Sequence, residues 1–502
     1  MRSAASVCQE RQVISGPRGA RMAGALRKRA GSAMRGSLAT AGGRAKHSRM
    51  TTAFFARAAL LPAGWAADVR IEADAAGWIT AVLPGAPPGG ARRLRGAVIP
   101  GVPNLHSHAF QRAMAGGAER RSPEGRDSFW TWRETMYRFV ARLTPEDAEA
   151  VAAQLYAELL EGGFTAVCEF HYLHHRPDGT PYDDPAEMAK RHLAAARAAG
   201  IGITLLPSLY RHGGIFGREP APGQRRFLND LDGFARIVEG VRAAVAGDPQ
   251  AAAGLAPHSL RAVTPEMLGA VAGAEGPIHI HAAEQAREVE ECLAATGARP
   301  VRWLLDHAPV DARWCVVHAT HMDAAETRDL AATGAVAGLC PTTEANLGDG
   351  IFPLPAWRAA GGRFGVGTDS HVGVAPRDEL RQLETSQRLA LQARAVAADA
   401  ARPHPGRALL EAALAGGAQA SGRGLGAIAP GLRCDLVELD PEHPALVGRE
   451  GDALLDAWVF AGQGNPVRTV VCGGRAVVEA GRHVARLEIG EAFARAMRRL
   501  WA

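Results

Sequence analysis

From Ala97 onward the chain repeats one pattern: a short apolar run, then a longer stretch rich in Ala, Leu, Glu and Arg. The runs are Ala97–Gly101, Thr165–Phe170, Gly202–Leu206, Ala252–Ala256, Ile278–Ala282, Trp314–His318, Ala335–Leu339 and Arg363–Gly367. Runs this short, bounded by turn residues, read as strands buried on both faces. Helix-period stretches fall between most of them, at Pro145–Leu160, Pro185–Ala198, Phe234–Ala246 and Ala286–Ala295. Glycines stand where those helices should stop: Gly162-Gly163, Gly200, Gly247, Gly297 and Gly361-Gly362. Strand then helix, eight times over, predicts an α/β fold, a (β/α)8 TIM-like barrel.

The flanks read differently. Residues 50–96 alternate apolar and polar positions between the turn signals Pro62-Ala63-Gly64 and Ala75-Ala76-Gly77. Beyond Asp369 the pattern is helical at Arg377–Arg394 and Ala408–Ala415, and strand-like again at Gly431–Leu439 and Val467–Val478. Both ends are expected to join in one small β-rich domain, residues 50–96 with 425–502, the latter including a C-terminal helix. The barrel is expected at 97–424.

Charge changes the picture only at the start. The net charge is +5 over 502 residues, but residues 1–49 hold 11 Lys and Arg against one acid, Glu10. The rest carries 46 basic and 51 acidic residues, so the body is mildly acidic and nucleic-acid binding is not expected. Residues 1–49 read as upstream sequence before a true start at Met50. A disordered basic leader or a transit peptide is the alternative. Seven scattered cysteines without a Cys-x-x-Cys fit free thiols and a cytoplasmic location. No apolar stretch is long enough to span a bilayer, so no membrane partner is expected.

The chemistry sits at the ends of the apolar runs, where barrels of this kind place their active sites. His106 and His108 alternate along an extended segment and so face one side. His281 with Glu284, then His318, then Asp369 end later runs. His106, His108, His281 and Asp369 offer three imidazoles and a carboxylate, a set that suits one Zn2+ per subunit, or Fe2+, with a water completing the shell. Such an ion lowers the pKa of its water to about 7. Glu284 is placed to move that water's proton, and His318 to orient or deprotonate it. His279 shares a strand face with His281 and competes as a ligand. His171, His174, His175, His212, His321 and His371 read as core or surface residues. The only lysine between His108 and Asp369 is Lys190, which argues against a lysine-bridged pair of metals.

These residues resemble the amidohydrolase superfamily, in its mononuclear deaminase branch. The matching stretches are Pro103–Gly116, Phe129–Glu134, Glu169–His175, Leu255–Arg261, Cys340–Gly350 and Gly367–His371. Trp130-Thr131-Trp132-Arg133-Glu134 and Pro341–Gly350 narrow the resemblance to enzymes that hydrolyse N-formimidoyl-L-glutamate to N-formyl-L-glutamate and ammonia in histidine degradation. The resemblance implies metal-bound hydroxide attacking the amidine carbon, with Glu284 and His318 catalytic. It implies a small dicarboxylate substrate held by Gln111, Arg133, Tyr172, His258 and Arg261, arginine suiting carboxylates through its planar fork. Superfamily relatives often dimerise, so a homodimer is compatible with it. The alternative is another mononuclear deaminase of the superfamily, acting on a purine, pyrimidine or related heterocycle.

Overall fold

The computed structural model describes residues 52–119 and 129–502; the expectations for residues 1–49 and for a start at Met50 lie outside them. Eight parallel strands form the centre: β1 (Val102–Ser107), β2 (Phe164–His171), β3 (Gly202–Leu209), β4 (Ala256–Pro257), β5 (Ile278–Ala282), β6 (Trp314–His318), β7 (Val336–Leu339) and β8 (Arg363–Val366). β1 to β4 are hydrogen-bonded in order, and so are β5 to β8. Two seams close the ring. Parallel bridges Leu255↔Ile278 and Ser259↔His281 join β4 to β5, and Ser107↔Asp369 joins β8 to β1. β1, β2, β3, β5, β6 and β7 are buried at every position, which is why β6 and β7 read as apolar runs and why the polar residues of β1, β2 and β5 are buried as well.

The barrel helices carry ordinary stop and start signals. Pro145–Gly162 begins with a Thr144–Asp147 capping box and ends on Gly163 at φ 105°. Glu187–Ala199 and Ala286–Thr296 end on Gly200 and Gly297, both left-handed. The helix Pro405–Ser421 lies across the bottom of the barrel. It approaches β8 so closely that a Cβ on Gly416 would sit 2.0 Å from the Phe364 carbonyl oxygen. Gly416→Ala is therefore expected to destabilise the fold by about 1–3 kcal/mol, since the collision is with backbone. A thermal or urea melt unchanged from wild type would contradict this packing.

The first apolar run is a correction. Ala97–Gly101 is not the first barrel strand. Val98–Pro100 pairs with Ala59 and, antiparallel, with Leu436–Leu439 in an outer sheet, and the barrel proper begins at Val102. The chain crosses between the two sheets at Gly101, where a Cβ would meet Thr165 Oγ1 at 2.2 Å. Both sheets bury the segment, so apolar character alone does not say which sheet owns it. The fourth run is also split, into Ala251–Ala253 and β4.

The outer sheet has nine strands and combines both chain ends, as expected. Thr52–Leu61, Gly64–Ala73, Ile79–Leu83 and Arg92–Leu94 come from the N-terminal side, and Leu436–Leu439, Val467–Cys472, Arg475–Glu479 and Arg482–His483 from the C-terminal side. Val98–Pro100 is the strand that joins the two groups. No helix among the described residues is long and apolar enough to cross a membrane.

Candidate metal-dependent active site

At the C-terminal ends of the strands, three imidazoles converge. The Nε2 atoms of His106, His108 and His281 lie 3.0–3.3 Å apart. Nδ1 of His108 donates to the Phe170 carbonyl at 2.7 Å, and Nδ1 of His281 to the His258 carbonyl at 2.8 Å. Those bonds put the ring proton on Nδ1 and leave a lone pair on each Nε2. Lone pairs facing one another at 3.3 Å repel unless a cation lies among them. Ligands about 2.0–2.1 Å from a tetrahedral ion stand about 3.3 Å from each other, so the donor set fits a divalent metal. Asp369 adds an anionic oxygen: Oδ1 lies 3.6 Å from His106 Nε2 and 3.5 Å from His108 Nε2. Burial drives the pKa of all three imidazoles down, that of His108 to about 3, and keeps them neutral as ligands must be. His279 does not compete. It lies two residues deeper on β5, with Nε2 2.9 Å from the Ala420 carbonyl oxygen at the barrel bottom.

The proton-handling groups lie beside this cluster. His318 Nε2 is 3.8 Å from Glu284 Oε1 and 3.9 Å from Asp369 Oδ2, and its Nδ1 is 3.2 Å from Glu344 Oε1. Burial pulls the His318 pKa down, but the Glu284, Glu344 and Asp369 carboxylates outweigh it and push the value up to about 10. These carboxylates favour the ring that carries both protons, the form that can orient a water and donate to it. Ala283, His318, Ala319, Asp369 and His371 all have φ between 46° and 66°. Left-handed non-glycine backbone costs about 1–3 kcal/mol per residue and persists where surrounding contacts over-determine it. At Ala283 that support comes from Glu288, which accepts from the Ala283 and Glu284 amides at 3.3 and 3.2 Å.

Gln111, Arg133, Tyr172, His258 and Arg261 all line the cleft above the metal cluster. Gln111 Nε2 donates to the Tyr172 hydroxyl at 2.8 Å. Arg261 donates from one Nη to Glu284 Oε2 at 3.2 Å, while its Nη1 is buried without a protein partner; Gln111 Oε1 is likewise unpartnered. Those two atoms are a donor and an acceptor left for a ligand. Arg133 lies on a helix, Phe129–Val140. Phe129, Trp132, Met136 and Val140 recur at i, i+3, i+7 and i+11, a helical stripe that was the available signal. That helix contributes Trp132, Met136 and Tyr137 to the cleft, and Tyr210 and Phe227 complete an aromatic lining that the sequence pattern did not reveal. Glu344 and Glu288 were not evident there either, since their roles depend on contacts with His318 and the Ala283–Glu284 amides.

The remaining histidines take the bland places expected of them. His174, His175 and His321 each pair with a backbone carbonyl, and His371 lies 2.8 Å from Thr368 Oγ1. His171 is buried between His174 and His192, and His212 is half-buried. Lys190 lies on the outer helix Glu187–Ala199, paired with Asp184, and no lysine among the described residues lines the cleft.

This closed parallel barrel, with a histidine cluster at its strand ends, defines a metal-dependent hydrolase, and residues 97–477 match the amidohydrolase family model. The chain belongs to the amidohydrolase family. Residues 51–96 match the model described as the formimidoylglutamate deiminase HutF N-terminal domain. The chain is 52% identical to formimidoylglutamate deiminase from Pseudomonas aeruginosa, over 88% of this chain and 98% of that one. Among solved structures it resembles an amidohydrolase from Brucella melitensis, with TM-score 0.85 and 51% identity over 90% of this chain and 100% of that one. An adenosine deaminase from Xanthomonas campestris, solved with zinc bound, shares the fold at TM-score 0.73 and 21% identity, over 90% and 98% of the two chains.

Proposed function

We infer that this chain is a formimidoylglutamate deiminase: it hydrolyses N-formimidoyl-L-glutamate to N-formyl-L-glutamate and ammonia. The observation that carries this reading is one cleft with a metal-ligand cluster at its floor and an unpartnered Arg261 Nη1 in its wall. Close similarity to the Pseudomonas enzyme along nearly its whole length supports it.

His106, His108, His281 and Asp369 would hold one Zn2+ per subunit, or Fe2+, by the nitrogen and oxygen character of the set. When bound, the ion supplies Lewis-acid activation of a water at neutral pH. The residues of the chain do the rest. Arg261 and Arg133 hold the two substrate carboxylates, and Gln111 Oε1 accepts from an amidinium N–H. Tyr172 and His258 wall the substrate in. Water adds to the amidine carbon; Glu284 takes its proton and delivers it to the departing nitrogen as the C–N bond breaks. His318, held by Glu344, donates from Nε2 toward the oxygen where charge develops. The six described cysteines are buried and free, which supports a reducing, cytoplasmic setting.

The aromatic lining is what a heterocycle deaminase would need. Here the Arg261 guanidinium lies over Phe129 at 5.5 Å and that of Arg133 over Tyr137 at 5.7 Å, so these two faces are occupied by cations rather than open to a base. Arg261→Ala is expected to lower kcat/KM by about 10²–10³-fold, mostly through KM, because it removes a buried charged partner. An unchanged KM would remove Arg261 from the carboxylate site. The reaction itself is tested by product analysis, because an amidine can lose either nitrogen. N-formyl-L-glutamate with ammonia is expected; glutamate with formamide would overturn the assignment.

A further inference from the structure

A second ligand cluster adjoins the first. Cys340 Sγ, a ring nitrogen of His318 and a carboxylate oxygen of Asp369 all lie within 4.8 Å of one another, and all three residues are buried. Each comes from a different part of the barrel rim: His318 ends β6, Cys340 follows β7, and Asp369 follows β8. The orientation of His318 suits ligation, because Glu344 engages Nδ1 and leaves Nε2 facing the cluster. Nε2 is 3.9 Å from Asp369 Oδ2 and 3.8 Å from Glu284 Oε1. Those gaps are too long for hydrogen bonds. They are close to the separation of about 3.3–3.6 Å that ligand atoms keep around a shared zinc ion. Asp369 turns Oδ1 toward His106 and His108, which leaves Oδ2 for this side.

We propose that His318, Cys340 and Asp369, with Glu284 at the edge, form a second, inhibitory site for Zn2+. A thiolate, an imidazole and a carboxylate make a zinc set, and a poor one for magnesium or calcium. Binding displaces the Cys340 thiol proton and a His318 ring proton to solvent, while the ion forms bonds to Sγ and Nε2. The ion then holds His318 and crowds Glu284, the two groups that handle protons in the reaction. The enzyme would need zinc at one site and lose activity when zinc reaches the other. This inference rests on the reading that Asp369 belongs to the first site, and deepens the account of that site by adding its own metal-dependent control.

The test is a titration of enzyme holding one equivalent of metal with further Zn2+, reading bound metal and ammonia release together. The wild-type protein is expected to bind a second equivalent with loss of activity, recovered on brief chelation. Cys340→Ser is expected to keep the first equivalent and its activity, and to lose both the second equivalent and the inhibition. Cobalt titration reads the same site without a variant: the second equivalent should bring a thiolate-to-cobalt charge-transfer band. A second equivalent without that band, equal inhibition in Cys340→Ser, or no second equivalent would overturn the second site alone. Protein that binds no metal at all would overturn both sites.

Discussion

Glu284→Gln is expected to keep its metal and its fold while kcat falls about 10²–10⁴-fold, the range that one positioned acid–base group supplies. Glutamine keeps the shape of the side chain and its acceptor toward Arg261, now 3.2 Å from Glu284 Oε2. It removes the capacity to carry a proton from water to nitrogen, together with the negative charge that faces His318 and Arg261. The backbone at position 284 stays anchored, because Glu288 accepts its amide independently of the side chain. KM should move little, since the carboxylate-binding groups are untouched. Steady-state kinetics with metal analysis check this. Full turnover in the variant would end the proton-carrier role; loss of metal with activity would mean that Glu284 acts through the ligand cluster instead.

His106→Ala should remove metal and activity together. His106 Nε2 is 3.2 Å from His108 Nε2 and 3.0 Å from His281 Nε2, so it belongs to both close pairs. The side chain is fully buried, and alanine would leave two neutral imidazoles and Asp369, a set in which one of the three histidine nitrogens is gone. The variant should also melt lower than the metal-loaded parent, because an ion at 100 times its Kd stabilises by about 2.7 kcal/mol. Treating the wild-type enzyme with a chelator should reproduce that shift. Metal analysis, a thermal melt and an ammonia assay on one preparation read all three effects. Retained metal with lost activity would show that His106 is not a ligand.

Both predictions concern residues whose chemistry is legible in the amino-acid sequence. Strand-end chemistry is readable where a doubly buried strand is mostly apolar, because a polar residue at or just past its end then stands out. His281 and His318 are such residues, and Asp369 follows the eighth run by two positions. Depth along a strand is harder to read: His279 and His281 share a face, and only the position of Ala420 below β5 separates their roles. Sheet membership is harder still. Val98–Pro100 and β1 are nearly contiguous and both fully buried, yet they belong to different sheets. The helix Phe129–Val140 is harder to read, because aromatic residues favour strands although their spacing here is helical. Glu344 meets His318 across 26 positions, and no local pattern marks such a pair.

The measurement that tests the central claim most directly is ammonia release by purified, metal-loaded protein. N-formimidoyl-L-glutamate would be offered beside guanine, cytosine and a formimidoyl amine without carboxylates. Fast release from the first alone, lost on chelation and restored by zinc, is the predicted result. Release from a base, or equal release from the amine without carboxylates, would contradict the assignment of this cleft to a dicarboxylate amidine.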